Sequence, residues 1–156
     1  MLSGTDDSGM QHTNASGRQG SFEGAGMILL LREILQLKLT NGNDGRGNAF
    51  WKSATFRKSC EQYLRAFHKQ RKPFEAPVVV HVTRLFSGRE RLWDSSSIGR
   101  GNWKEIEDAL VAVGWFHDDS PKWIRRTVFD QQKYNESCVL VEVFDFSGVS
   151  DEDLER

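Results

Sequence analysis

Apolar residues in this chain recur with two different periods, and runs rich in glycine, asparagine and serine separate the segments. From Glu33 to Thr40 they alternate in part and predict a first strand, with helix competing because Leu, Glu and Lys are good helix formers. The turn formers from Asn41 to Asn48 end that segment. Over residues 53–70, Phe56, Cys60, Tyr63, Leu64 and Phe67 share one helical face, while Arg57, Lys58, Glu61, Arg65 and Lys69 lie mostly outside it. Pro73 marks the exit. Pro77 to Phe86 is a nearly continuous β-branched run, which predicts a central strand covered on at least one face. His81 alternates with Val80 and Val82 and falls on the opposite face, where a hydrogen-bonded structural role fits better than metal ligation.

A second helix is expected from Asn102 to Gly114. Asn102 and Glu105 have capping-box spacing, and Trp103, Ile106, Ala109, Leu110 and Val113 form one apolar stripe. Gly114 sits where a left-handed residue ends a helix. Lys104 and Asp108, four apart and off the stripe, share another face. The chain then delivers Asp118-Asp119 ahead of a strand from Lys122 to Asp130, a polar turn from Gln131 to Glu136 and a last strand from Cys138 to Phe146. This order, β-α-β-α-β-β, predicts an α+β fold: a mixed β-sheet with two main helices packed on it.

Residues 1–26 are nearly devoid of apolar side chains and read as a disordered leader, or as sequence upstream of a start at Met27. Residues 27–150 then form a single domain, and 151–156 a frayed C-terminal tail. The whole chain has 156 residues and a formal charge of −1, which argues against a wholesale polyelectrolyte partner but not against a local basic face. Cys60 and Cys138 lack CxxC spacing, so a reduced pair is expected rather than a zinc site. The apolar run Met27 to Leu31 falls far short of the roughly 20 residues that span a bilayer. The first residues lack a basic start followed by a hydrophobic segment, so no signal peptide is expected, nor a membrane partner.

Two neighbouring carboxylates repel each other, and a divalent cation is one of the few things that makes the pairing favourable. Taken alone, Asp118-Asp119 is better explained by a polar turn before Ser120-Pro121. Between Ser87 and Gly101, Arg89, Arg91 and Arg100 surround Trp93 and Asp94, and Arg84 stands just before. These residues can cradle a distorted phosphodiester, or form a solvated loop with Arg–Glu90 and Arg–Asp94 pairs. His68 and His117 read as exposed polar residues. The glycine-rich loop after the first strand has neither a Gly-Lys-Ser/Thr ending nor a GxGxxG pattern, so it reads as a plain loop.

The pattern Lys104-xxx-Asp108-Ala109-Leu110-xxx-Gly114-xxx-Asp118-Asp119 resembles the RusA family of Holliday-junction resolvases and its phage-borne relatives. The resemblance is most specific over residues 94–130. It implies a homodimeric, Mg2+- or Mn2+-dependent endodeoxyribonuclease that resolves branched DNA in recombination or repair, working in the cytoplasm of a bacterium or phage-infected host. The family's Asp-x-Asp-Asn motif falls on Asp94-Ser95-Ser96-Ser97, so Asp94 stands for its first acid and Ser96 replaces its second.

On this footing Asp94, Asp118 and Asp119 are the expected metal ligands, with Asp108 in reserve. Lys104 joins them in the catalytic set by neutralising phosphate charge, since clustered carboxylates activate water through bound Mg2+. Arg84, Arg89, Arg91, Arg100, Lys104, Lys122 and Arg125 are the expected DNA contacts. The alternative is a catalytically impaired RusA-like dimer that binds DNA without cutting it. A third possibility, a sheet-based interaction protein, predicts neither a cation site nor junction affinity.

Overall fold

A computed structural model of the chain describes residues 27–42, 50–94 and 96–146; the side chains of Phe50 and Trp51 are outside that description. The expectations for residues 1–26, most of the glycine-rich loop, Ser95 and the tail beyond Phe146 therefore lie outside it. Four strands and three helices follow one another as β1 (Leu29–Leu35), α1 (Phe50–Phe67), β2 (Val78–Phe86), α2 (Ser97–Arg100), α3 (Trp103–Ala112), β3 (Ile124–Lys133) and β4 (Cys138–Asp145). The fold is α+β with a mixed sheet, as expected, and the short α2 is added to the two main helices.

The sheet order is β1-β4-β2-β3. β4 runs antiparallel to both β1 and β2, whereas β3 runs parallel to β2. A parallel neighbour requires a crossover, and the segment carrying α2 and α3 supplies it. The strand richest in valine, β2, takes a central place, and from Val78 to Phe86 only His81 is not buried.

The first strand starts earlier than expected. Met27, Leu31, Leu35 and Leu39 are all buried, so the alternation runs through the whole stretch, but the ladder stops where β4 begins: Leu35 faces Val139. Beyond it the backbone is held by side chains instead. The Gln36 amide donates to the Tyr63 hydroxyl at 2.7 Å, and the Thr40 amide donates to Asn102 Oδ1 at 2.8 Å. β3 conversely runs past Asp130 to Lys133, because β2 offers pairing as far as Phe86. The polar residues Gln131–Lys133 belong to a strand, not to a turn.

One sheet face and the helices enclose the main core. Cys60 and Leu64 of α1 and Ile106, Ala109 and Leu110 of α3 cluster with Leu31, Leu35, Val80, Val82, Val139, Val141 and Val143. Phe67, expected on that face, is exposed, at the last position of α1. On the other face, Met27, Val79 and Phe144 form a smaller cluster to which no described helix contributes. A row of charges crosses that face: Arg32 pairs with Glu142 at 2.8 Å, Glu142 with His81 Nδ1 at 3.3 Å, and His81 Nε2 approaches Asp130 at 3.9 Å. His81 thus has a hydrogen-bonding partner in Glu142, in line with the structural role expected of it. Cys60 and Cys138 are buried free thiols, and burial, followed by the nearby glutamates, pushes both up to about 11.

Candidate functional site

α3 forms where its apolar stripe dictates, with Trp103, Ile106, Ala109 and Leu110 buried, and Gly114 follows at φ +89°, a left-handed conformation that favours glycine. The capping box does not form. Asn102 makes no side-chain cap bond; it reaches back to the segment after β1, accepting from the Thr40 amide and donating to the Lys38 carbonyl at 2.9 Å. Glu105 turns to α1 and accepts from Ser53 Oγ at 2.5 Å. Gly101 is required by this approach, because a Cβ there would lie 1.7 Å from the Thr40 carbonyl oxygen. Sequence spacing identified capping residues, but tertiary partners took them.

The exposed side of α3 carries the charged group of interest. Lys104 hydrogen-bonds to Asp119 Oδ2, lies 3.1 Å from Asp108 Oδ1 and 3.3 Å from Glu107 Oε1. The turn after α3 therefore folds back to the helix's first turn and joins Asp119 to the Lys104–Asp108 pair. Burial works against the Lys104 ammonium, yet its bonds to Asp119 and Asp108 and the surrounding negative charge hold it above the ordinary lysine range. The Lys104 bond, aided by Asp118, holds the Asp119 carboxyl below the usual carboxylate range.

Glu107 was missed by sequence reasoning. Burial raises its carboxyl above the ordinary range, offset by Lys104 and by Trp103, whose Nε1 donates to Glu107 Oε2 at 3.2 Å. The available signal was its position three residues after Lys104 and four after Trp103.

Asp118 and Asp94 stand differently. Asp118 Oδ1 accepts from the Asp119 amide at 2.7 Å, turned toward its own chain. The Asp94 carbonyl accepts from the Ser97 amide at 2.8 Å, at the entry to α2. Among the described residues no three His, Cys, Asp or Glu side chains converge as a metal-holding group, so the expected trio Asp94, Asp118 and Asp119 is not gathered. Glu107, Asp108 and Asp119 instead gather around one ammonium, that of Lys104.

The expected phosphate contacts divide. Arg89, Arg91, Arg100, Lys122 and Arg125 are exposed. Arg100 donates to the Ser96 carbonyl at 3.0 Å and to Ser96 Oγ at 2.8 Å, so the hydroxyl at the family's second acid position is already engaged. Lys122 lies over the Trp123 ring at 5.0 Å. The register shifts at the start of the β2–β3 pairing, where Val78 faces Ile124 and Val79 faces Arg126. Arg125 is the extra residue there, so strict alternation with Arg126 is lost. Arg84 must be corrected: it is 4 % exposed, with its guanidinium 3.6 Å from the Trp93 ring centroid and 3.2 Å from Glu90 Oε2. Its alternation places it on the enclosed face, where it organises the loop rather than reaching a phosphate. His117, by contrast, is exposed and lies 3.4 Å from Glu75 Oε1.

Compared with known proteins, the chain matches no family model and no curated relative. No helix among the described residues is long and apolar enough to cross a membrane.

Proposed function

We propose that this chain is a RusA-like endodeoxyribonuclease that acts as a homodimer on branched DNA, Holliday junctions included, in the cytoplasm of a bacterium or phage-infected host. The observation that carries the reading is the bond between Lys104 and Asp119. It joins the two ends of the Lys-xxx-Asp-Ala-Leu…Asp-Asp pattern across a helix and the turn that follows it. The α+β class with a mixed sheet is the coarse architecture that the resemblance implies.

Asp119 and Asp118 would hold Mg2+ or Mn2+, with Asp94 and Asp108 the further carboxylates of the segment. An ion held there would supply an activated water and charge neutralisation at the leaving oxygen. The chain's own residues supply the rest. Lys104 neutralises the phosphate at the cut, and the exposed Arg89, Arg91, Arg100, Lys122 and Arg125 neutralise its neighbours. A homodimer suits a four-way junction because symmetric cuts need two symmetric sites.

A second reading is favoured by one observation: Ser96, in place of an acid, bonds Arg100. On it the protein is a dimer that binds junctions without cutting them.

Cleavage of a synthetic four-way junction with Mg2+ or Mn2+ separates the two. The nuclease reading expects symmetric nicks by the wild type and at least about a hundredfold loss in Asp119→Asn, within the range for losing a principal charge-stabilising group. Binding without cleavage by either protein leaves the second reading, and no junction affinity removes both. Affinity should also fall steeply with salt as bound counterions are released, and a flat response counts against the exposed arginines as phosphate contacts.

A further inference from the structure

Immediately before Asp94 the chain is clamped to a strand by a side chain. The Trp93 amide donates to Gln131 Oε1 at 3.0 Å, and Gln131 Nε2 donates to the Trp93 carbonyl at 2.7 Å. One β3 amide thus imitates a neighbouring strand, satisfying both polar groups of a residue outside any ladder. Arg84, which faces Gln131 across the β2–β3 pairing, completes the clamp. Its Nη1 donates to Gln131 Oε1 at 3.3 Å and to the Arg91 carbonyl at 3.1 Å, and its Nη2 donates to Glu90. Lys38 holds Glu90 from the other side at 3.0 Å.

Resting on the nuclease reading above, we propose that Gln131 and Arg84 are positioning residues. They fix the Glu90–Trp93 segment that delivers Asp94 to the entry of α2, and so set where the Asp94 carboxylate stands. Neither acts on DNA directly: Arg84 is buried, and both amide atoms of Gln131 are spent on Trp93. A planar amide is needed because the clamp donates and accepts at once, which neither a carboxylate nor a methyl can do. The guanidinium is needed because three acceptors in different directions share one cation, a fork that an ammonium cannot reproduce.

The test uses the full chain with Gln131→Ala, Gln131→Glu and Arg84→Lys, read by amide hydrogen exchange, junction affinity and single-turnover cleavage. Gln131→Ala should speed exchange about tenfold at Trp93 and through Ser97, as expected for losing two ordinary hydrogen bonds, with α1 and β4 unchanged. Cleavage should slow about tenfold while junction affinity stays within about twofold. Gln131→Glu and Arg84→Lys should fail to restore either. Unchanged exchange at Trp93, or an increase spread evenly over the sheet, overturns the clamp. A local increase with undiminished cleavage overturns the positioning role. A wild type that does not cut defeats the nuclease reading, and with it the positioning role for Asp94, while exchange at Trp93 still decides the clamp.

Discussion

Lys104 sets the electrostatics of the corner. A single ammonium faces Glu107, Asp108 and Asp119, and its bond to Asp119 is the first cause of that carboxyl's lowered proton affinity. Lys104→Met should therefore raise the Asp119 pKa toward the ordinary carboxylate range, a change that carboxyl NMR titration detects; an unmoved titration would sever the link. Glu107 works in the opposite sense. Its folded carboxyl is raised, chiefly by burial, so its contribution favours folding at pH below the unfolded value and is lost as pH rises through the folded one. At neutral pH Glu107→Gln should raise Tm by a few degrees, the usual scale for relieving one unfavourable group, and the gain should shrink in acid. Thermal melts at pH 7 and pH 4 check both halves. The Lys104–Asp108 pair was legible in sequence because helical spacing brings the two together, whereas the Asp119 contact depends on how the turn after α3 folds back. Glu107 was not, because its burial depends on where Trp103 packs.

At the scale of elements, repeats of apolar residues identified the two main helices and every strand, but their ends were set by partners. β1 ends where β4 runs out, and β3 continues because β2 does. Arg84 escaped sequence reasoning for a related reason: an arginine in a loop-proximal pattern looks solvent-facing until Trp93 and Gln131, nine and 47 positions away, close over it. The junction between α2 and α3 is the tightest approach in this region. Gly101→Ala forces a methyl onto the Thr40 carbonyl and should cost roughly 2–4 kcal/mol, a strain comparable to severe overpacking. Urea unfolding measures it, and a loss below about 0.5 kcal/mol, the scale of ordinary surface changes, would show that the segment after β1 moves aside freely.

For the molecule as a whole, the charge row Arg32–Glu142–His81–Asp130 ties all four strands together on the face away from the helices. The Glu142 carboxyl is held below its usual range, first by His81, against the opposing effect of burial, and then by Arg32. A lowered folded pKa gives stability that is present above the unfolded value and lost as pH falls through the folded one. The melting temperature should accordingly drop below about pH 4.3, the ordinary glutamate value, and Glu142→Gln should flatten that slope. An unchanged slope in the variant would assign the acid sensitivity to other groups. The acidic corner on α3 behaves differently, because its neutralising cation is covalently part of the chain. Folding there borrows nothing from solution: protein stripped with a chelator should still fold and melt cooperatively, and on the proposed nuclease reading metal starvation would stop cleavage while leaving the shape intact.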